Sequence, residues 1–318
     1  MSAKQKYKKV AVIMGGMSHE REISLISGNA VLESLLKSGV NACKFDPTET
    51  KLCDLPLLGF DCAVIMLHGR SGEDGTIQGA LEFMGIPYTG SSTVASSIAM
   101  DKYRTKLIWQ AGNIPTPCYQ YITKGKFNAH QFNLQLDVPV VVKPVNEGST
   151  VGLSKVYDVE ELNKAITLAF EYDDEVLIEE MVIGDEFTIT VCDSKHYPLV
   201  KIEAPEGEYN YQNKYFTDDT KYICPYDLGH ELNHEIEELS VKAYELIGAN
   251  GVARIDFMLD KNKKIYFLEL NTIPGMTGHS LVPMAYRASG VNFDDLCLQM
   301  LAGATLHLKQ KPVLSKIG

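Results

Sequence analysis

The stretch that decides the fold is Val252-Ala-Arg-Ile-Asp-Phe-Met-Leu-Asp-Lys-Asn-Lys-Lys-Ile-Tyr-Phe-Leu-Glu-Leu-Asn271. Apolar and polar residues alternate on both sides of the polar turn Lys261-Asn-Lys-Lys264, which predicts a β-hairpin. Centring the turn between Asn262 and Lys263 sets the register of the two strands. That register fixes which side chains share a face.

Period-two alternation places four polar side chains on one face of this hairpin. Asp256 is expected opposite Glu269, and Arg254 opposite Asn271. Two opposed carboxylates repel each other unless a cation lies between them, and oxygen ligands without His or Cys suit Mg²⁺. The hairpin therefore predicts a metal site on Asp256, Glu269 and Asn271, although a solvent-facing surface hairpin would show the same letters. The other face is expected to hold Ile255, Phe257, Leu268 and Leu270.

The composition is that of a globular protein with more than one core. A chain of 318 residues predicts two or three domains, and 45% hydrophobic with 22% charged residues excludes disorder. A net charge of −11 argues against a general nucleic-acid or membrane-surface binder. The seven cysteines are scattered singly, which indicates a reducing cytosol and neither a disulfide frame nor a zinc site. With no apolar run near ~18 residues, we expect a cytoplasmic protein.

Apolar runs and helical patterns alternate in the first part of the chain, which predicts a parallel sheet with ligand loops at the carboxyl ends of its strands. A helix holding Met100, Asp101 and Lys102 should follow this part. The expected strands are 9–14, 62–67, 138–143, 175–179 and 187–192, and the expected helices are 20–36, 76–84, 160–172 and 234–246. The predicted domains are 1–100, 101–184 and 185–318.

Lys143 ends an apolar strand and is followed by the loop Gly148-Ser-Thr-Val-Gly152. Backbone amides freed by two glycines can wrap phosphate oxygens, and a lysine beside them supplies charge. No GxxxxGK[ST] motif occurs, so the loop is not a P-loop. A glycine- and serine-rich hairpin turn would explain the same letters.

Two other segments have a functional and a structural interpretation, and a third has a functional one. Glu179-Glu-Met-Val-Ile-Gly184 could pair with an adenine edge or simply link domains, and the tyrosine-rich loop 205–220 could be a lid or a packed Ω-loop. Gly275-Met-Thr-Gly-His-Ser-Leu281 could hold a small carboxylate with its amides and Ser280. A histidine beside a glycine turn, such as His68, is more often structural than catalytic.

Taken together, these segments resemble the D-alanine–D-alanine ligases of the ATP-grasp superfamily. The resemblance implies an α/β chain, α+β in its ATP-binding part, with a Rossmann-like parallel sheet in the first of three domains. It departs from the family at Met181, where other members often carry Trp. The matching motifs are 15–24, 67–75, 87–91, 100–102, 142–144, 147–152, 214–215, 254–256, 269–277 and 279–283.

The resemblance also implies the residues of the site. The catalytic group is Glu20, Ser149, Tyr215, Arg254 and Gly275. The ATP-binding group is Lys102, Lys143, Glu147, Gly148, Ser149, Glu179, Glu180, Met181, Val182, Glu186 and Lys214. The substrate-binding group is Glu20, His68, Arg254, Gly275, Ser280 and Leu281. The metal ligands remain Asp256, Glu269 and Asn271, which would hold two Mg²⁺ ions, with Mn²⁺ as a substitute.

The implied activity joins two D-alanines through an acylphosphate, with ATP as phosphoryl donor, for peptidoglycan synthesis. The implied protein is a cytoplasmic homodimer without nucleic-acid or membrane partners. By resemblance, Tyr215 should hydrogen-bond with Ser149 and Glu20. Two other functions stay open from the residues alone: an inactive ATP-grasp protein that only binds nucleotide, and an ATP-grasp ligase acting on other amines, such as purine intermediates.

Overall fold

The computed structural model describes residues 6–205, 219–278 and 280–308. Lys214, Tyr215 and most of the loop 205–220 lie outside the described residues. None of the helices in the described ranges combines the length and apolarity that crossing a bilayer requires.

The first sheet is parallel, as predicted. Its strands are β1 (Val10–Ile13), β2 (Ala42–Phe45) and β3 (Cys62–Ile65), in the order β2-β1-β3. All residues of β1 and β3 are buried, because helices cover the sheet. Helices α1 (Arg21–Lys37) and α2 (Thr76–Met84) follow β1 and β3, so the loops before them lie at the carboxyl edge of the sheet.

The prediction of a single helix holding Met100, Asp101 and Lys102 is wrong. Helix α3 (Thr93–Met100) ends at Asp101, and helix α4 (Lys102–Ala111) begins directly after it. Asp101 has an extended backbone, and its side chain accepts a hydrogen bond from the Arg104 backbone amide at 2.8 Å. Because aspartate is a strong N-cap residue, it starts a new helix here, and Lys102 is the first residue of α4.

The second sheet is antiparallel and carries the glycine loop. Its order is β4-β7-β5-β6, and the glycine loop joins β5 to its partner β6, so the hairpin interpretation of that loop is confirmed. Helix α5 packs its apolar side on this sheet. The elements are β4 (Tyr119–Thr123), β5 (Val140–Pro144), β6 (Ser154–Val156), α5 (Val159–Ala169) and β7 (Glu175–Glu180).

The third sheet is the largest, and its strands are antiparallel. The path runs β11-β10-β8-β12-β13, with β9 paired to β8, and α6 packs in the same core as α3 and α4. Helices α7 and α8 instead share the core of the first sheet. The elements are β8 (Gly184–Cys192), β9 (Lys195–His196), β10 (Val200–Glu203), β11 (Lys221–Ile223), α6 (His230–Ile247), β12 (Val252–Asp260), β13 (Ile265–Asn271), α7 (Leu281–Ala288) and α8 (Phe293–Ala302).

The predicted hairpin is β12–β13, and its register is right at the polar end and wrong at the turn. Asp256 pairs with Glu269 as expected, but the register shifts beyond Asp256, so Phe257 pairs with Phe267. Leu268 is the extra residue of this β-bulge, and it is only partly buried. The turn is therefore centred on Asn262, and Phe267, not Leu268, fills the core.

Candidate active site

The loops that follow β1 and β3 meet the glycine loop between β5 and β6. A cavity lies at this junction and is lined by residues from all three loops, including Ser18, Glu20, Arg70, Glu147 and Gly148. The first-sheet loops stand at the carboxyl ends of parallel strands, the usual position for ligand sites in such sheets. The structure thus brings together two of the segments that the sequence singled out.

Glu20 is the centre of this junction. It precedes α1 without capping it, and its buried carboxylate accepts a hydrogen bond from the Ser149 hydroxyl. Glycines make room for that carboxylate: a Cβ on Gly69 would lie 2.6 Å from Glu20 Oε2, and one on Gly148 would lie 3.2 Å from it. The first sheet therefore presents an acid directly to the glycine loop.

His68 is buried, and its ring nitrogens have two different neighbours. Nδ1 lies 4.0 Å from Glu73 Oε1, and Nε2 lies 3.3 Å from the Ser27 hydroxyl. Burial lowers the pKa of His68, but the interaction with Glu73 and the charge of Glu20 more than offset it, so the pKa is raised above its usual value. Ser27 also accepts a hydrogen bond from the Met276 amide at 3.1 Å, which ties His68 to the glycine segment after β13.

That glycine segment is a tight turn before α7. The Ser280 hydroxyl accepts a hydrogen bond from the Thr277 amide at 2.9 Å, and a Cβ on Gly275 would lie 2.9 Å from the same oxygen. Gly275 is thus required for the approach of Ser280. Leu281 begins α7, and its side chain is buried in the core of the first sheet.

Arg254, Asp256, Glu269 and Asn271 share one face, as the hairpin pattern predicts. The Arg254 guanidinium binds both carboxylate oxygens of Asp256, at 2.9 and 2.8 Å. Across the hairpin, Glu269 Oε2 lies 3.3 Å from Lys102 Nζ. Within the described residues, no three His, Cys, Asp or Glu side chains are grouped to hold a metal. Two carboxylates and an amide nevertheless fit Mg²⁺, which completes its shell with water and phosphate oxygens.

Two lysines reach the glycine loop and the strand beside it. Lys102 Nζ donates to the Glu147 carbonyl at 2.6 Å, which joins α4 to that loop. Lys143 Nζ lies 2.6 Å from Glu179 Oε2. Burial raises the pKa of Glu179, but its lysine neighbours outweigh that effect and the pKa is lowered. Both lysines are buried with partners, so the positive charge here is fixed in place.

The predicted adenine segment connects β7 to β8. Glu180 ends β7, and its amide donates to the Cys118 carbonyl at 2.9 Å, while the Met181 amide donates to the Pro139 carbonyl at 3.1 Å. Glu180, Met181, Val182 and Glu186 are all partly exposed. The segment is thus held by backbone contacts and leaves side chains accessible.

The sequence interpretation missed several residues of this site. Lys106 Nζ lies 2.8 Å from Glu179 Oε1, and Arg70 Nε lies 3.2 Å from Glu147 Oε1. Ser27 and Glu73 hold His68. Two of these had a signal in the sequence: Lys106 is four residues after Lys102 and Ser27 seven after Glu20, spacings that place each pair on one helix face.

Comparison with known proteins gives two family matches. Residues 108–302 match the family model described as D-ala D-ala ligase C-terminus, and residues 47–91 match that of D-ala D-ala ligase N-terminus. Together these models cover more than half of the chain. The chain belongs to the D-alanine–D-alanine ligase family.

Similar members of the family come from several bacteria. The D-alanine–D-alanine ligase of Delftia acidovorans is 51% identical, over 95% of this chain and 94% of its own length. That of Acidovorax ebreus is 49% identical, over 95% and 92%.

Solved structures of the family share the fold. The D-alanine–D-alanine ligase of Bacillus anthracis superposes with a TM-score of 0.83 at 34% identity, covering 93% of this chain and 96% of that one. Its complex with ATP gives a TM-score of 0.79 at 33% identity. The ATP-grasp fold inferred from the motifs is thereby confirmed.

Proposed function

We propose that this chain ligates two D-alanines to D-alanyl-D-alanine, converting ATP to ADP and phosphate, for peptidoglycan precursor synthesis. The observation that carries the proposal is the hydrogen bond from Ser149 to Glu20. This hydrogen bond places the Glu20 carboxylate, which can bind a substrate ammonium, next to the glycine loop, which can bind phosphate. An amino acid anchored on Glu20 would have its carboxylate beside the phosphoryl donor. The solved complex of the Bacillus anthracis relative with ATP supports ATP as the nucleotide that this chain uses.

The reaction has two steps. A carboxylate oxygen of the first D-alanine bonds to the γ-phosphorus as the bond to ADP breaks, which gives an acylphosphate. The amine of the second D-alanine, after losing a proton, then attacks the acyl carbon, and phosphate leaves from a tetrahedral intermediate. Phosphoryl transfer depends mostly on positioning and charge neutralisation. Lys102, Lys143 and the amides of the glycine loop supply both.

The remaining groups serve the acyl transfer and the metal. Arg254 and the Gly275 amide are the proposed oxyanion donors, because they can oppose charge that develops on the tetrahedral oxygen. His68 and Ser280 would bind substrate beside them. Asp256, Glu269 and Asn271 would hold two Mg²⁺ ions, or Mn²⁺, whose charge neutralises the phosphates.

Phosphate release from ATP tests the proposal. We expect release with D-alanine and little with L-alanine, whereas a protein that only binds nucleotide would show neither. Asp256→Asn should weaken ATP binding with Mg²⁺ and lower release, since one carboxylate ligand loses its charge. Release that does not depend on D-alanine would contradict the ligase, and full turnover of the variant would contradict the metal site.

The choice of second substrate follows from the same chemistry. Because the attacking amine must be unprotonated, dipeptide formation should rise with pH towards the pKa of that amine. Tyr215 lies outside the described residues, so its contact with Ser149 and Glu20 stays a prediction. Offered D-alanine and D-lactate together near neutral pH, the enzyme should form mainly the dipeptide. A predominantly ester product would contradict this preference.

We also propose a cytoplasmic homodimer with the domains 1–100, 101–184 and 185–318. Phe83 on α2 and Val94 on α3 are 93% and 67% exposed. Large apolar side chains that are exposed on successive helices are typical of a subunit interface. Sedimentation of the wild type and of Phe83→Glu tests the dimer. A monomeric wild type would contradict it.

A further inference from the structure

Helix α4 carries a second lysine one turn after Lys102. The side chain of Lys106 is completely buried, with an exposed fraction of 0%. Its Nζ lies 2.8 Å from Glu179 Oε1 and 2.5 Å from the Thr116 hydroxyl. A fully buried ammonium is costly unless it is paired, so its partner carboxylate must be ionised.

The same carboxylate has a second lysine on its other oxygen. Lys143 Nζ lies 2.6 Å from Glu179 Oε2, and the two side chains are 10% and 4% exposed. The contact follows from the sheet: Glu179 pairs with Val141 on the neighbouring strand, and Lys143 is two residues further along the same face. Two ammonium groups therefore share one carboxylate, and the trio carries one excess positive charge.

The two lysines meet that carboxylate from different sides. Lys106 has no exposed surface and forms its ion pair with Glu179. Lys143 keeps some exposure near the end of β5, just before the glycine loop. We infer that Lys106 is a positioning residue, the permanent counter-ion of Glu179, which leaves the charge of Lys143 available to the phosphates of ATP. This rests on the proposed function, because ATP is the anion that Lys143 would meet.

Charge counting gives a different expectation for each variant. Lys106→Met leaves Lys143 and Glu179 as a neutral pair, so Lys143 would have to abandon a buried carboxylate to bind phosphate. Glu179→Gln leaves both lysines without the acid. Combining Lys106→Met with Glu179→Gln leaves Lys143 alone and restores one positive charge. A purely structural role for the trio predicts, in contrast, that the double variant loses more ATP affinity than either single variant.

The protonation of Lys106 gives an independent readout. The pKa of Lys106 is lowered to about 8, because burial and the like charge of Lys143, which lower it, outweigh the attraction of Glu179 and Glu269, which raises it. Among the described residues, Glu179, Lys143 and Glu269 are the charged groups with the largest effect on this ammonium, and Lys102 lies one turn before it on the same helix. Above that pH Lys106 is neutral and no longer balances the charge of Glu179, which then holds Lys143. ATP affinity should therefore fall as pH rises through about 8. The double variant, which lacks Lys106, should not show this step.

The experiment measures the dissociation constant of ATP by calorimetry, without D-alanine, at several pH values. Lys106→Met should weaken ATP about tenfold or more, the size expected when a charged phosphate partner is lost. The double variant should recover most of that loss, and Glu179→Gln should lose less than tenfold, because both ammonium groups remain. Thr116→Val is the matched control, because it removes the hydrogen bond of Lys106 without changing charge, and it should bind ATP normally.

Three results would overturn the inference: wild-type affinity in Lys106→Met, no recovery in the double variant, or equal weakening by Glu179→Gln and Lys106→Met. If Lys106→Met fails to fold, the double variant and Glu179→Gln still decide the outcome, since a loss in both as large as that expected for Lys106→Met indicates a structural role. Failure of the proposed function would look different. The wild type would then bind ATP but release no phosphate with D-alanine.

Discussion

Arg254 and Asp256, two residues apart on β12, form a two-pronged ion pair: Nε donates to Oδ1 at 2.9 Å and Nη2 donates to Oδ2 at 2.8 Å. Both oxygens that would bind a metal ion are thus engaged by a guanidinium. Each oxygen keeps a second lone-pair site, so a cation bound there would lie close to the guanidinium and the two positive charges would repel each other. Metal binding at Asp256 would therefore favour the release of Arg254 from this ion pair.

Arg254→Gln should separate the two events. Without the guanidinium, Asp256 is free for metal, so we expect Mn²⁺ to bind more tightly, by about tenfold for a lost charge-assisted pair. Phosphate release with D-alanine should fall about 100-fold or more, because a proposed oxyanion donor is gone. Paramagnetic resonance measures bound Mn²⁺. Lys261→Gln, which removes a positive charge from the exposed turn of the same hairpin, should change neither quantity. Weaker Mn²⁺ binding in Arg254→Gln would show that the ion pair does not compete with metal.

Ser149→Ala should weaken D-alanine more than ATP. The hydroxyl donates to the charged Glu20, and losing such a bond costs about 1.5–3 kcal/mol, or about 10- to 150-fold in the first D-alanine KM. Steady-state kinetics on the single variants Ser149→Ala and Glu20→Gln and on their double variant would measure the coupling. Additive effects would mean that the two side chains act independently.

Gly28→Ala should destabilise the protein through the packing of α1 on β1. An added Cβ would lie 2.5 Å from Met14 Cβ, a distance that forces the helix away from the strand. Such overpacking costs about 1–3 kcal/mol. Gly79 on α2 is the matched control, because an added Cβ there meets its nearest atom at 3.6 Å, so Gly79→Ala should be neutral or stabilising by up to ~1 kcal/mol. Urea unfolding measures both, and equal effects would contradict the packing argument.

Glu73→Gln should destabilise the protein in a pH-dependent way. The pKa of His68 is raised in the folded state, so its stabilisation is complete below the unfolded value of 6.5 and is lost as pH rises through the folded pKa. The variant should lose about 1 kcal/mol at pH 6, with a smaller difference from wild type at high pH. Thermal melts across pH 5.5–9 test this window. A difference that grows with pH would have the wrong sign for the His68–Glu73 pair.

The spacing of apolar residues predicts the strands and helices whose buried side chains recur at regular intervals. The faces of β12 follow from alternation alone, and α2 begins and ends at the residues its pattern indicated. Alternation alone does not predict the bulge at Leu268, because a bulge adds one residue to one strand and shifts the register beyond it. The apolar pattern does not show the helix break at Asp101, because the break depends on the Asp101 side chain capping the helix that follows. Lys106 was missed because a buried charge is recognised only by a partner distant in sequence, here Glu179.

The bulge in β13 also bears on how related chains should be aligned. Ile265 and Phe267 face the core with odd numbers, and Leu270 faces it with an even one, because Leu268 is the extra residue between them. A chain that lacks this residue could keep every pairing and lose only the added local twist. A one-residue gap at 268 is therefore compatible with an intact polar face of Arg254, Asp256, Glu269 and Asn271. A gap between Glu269 and Asn271 would instead turn Asn271, a proposed metal ligand, towards the core.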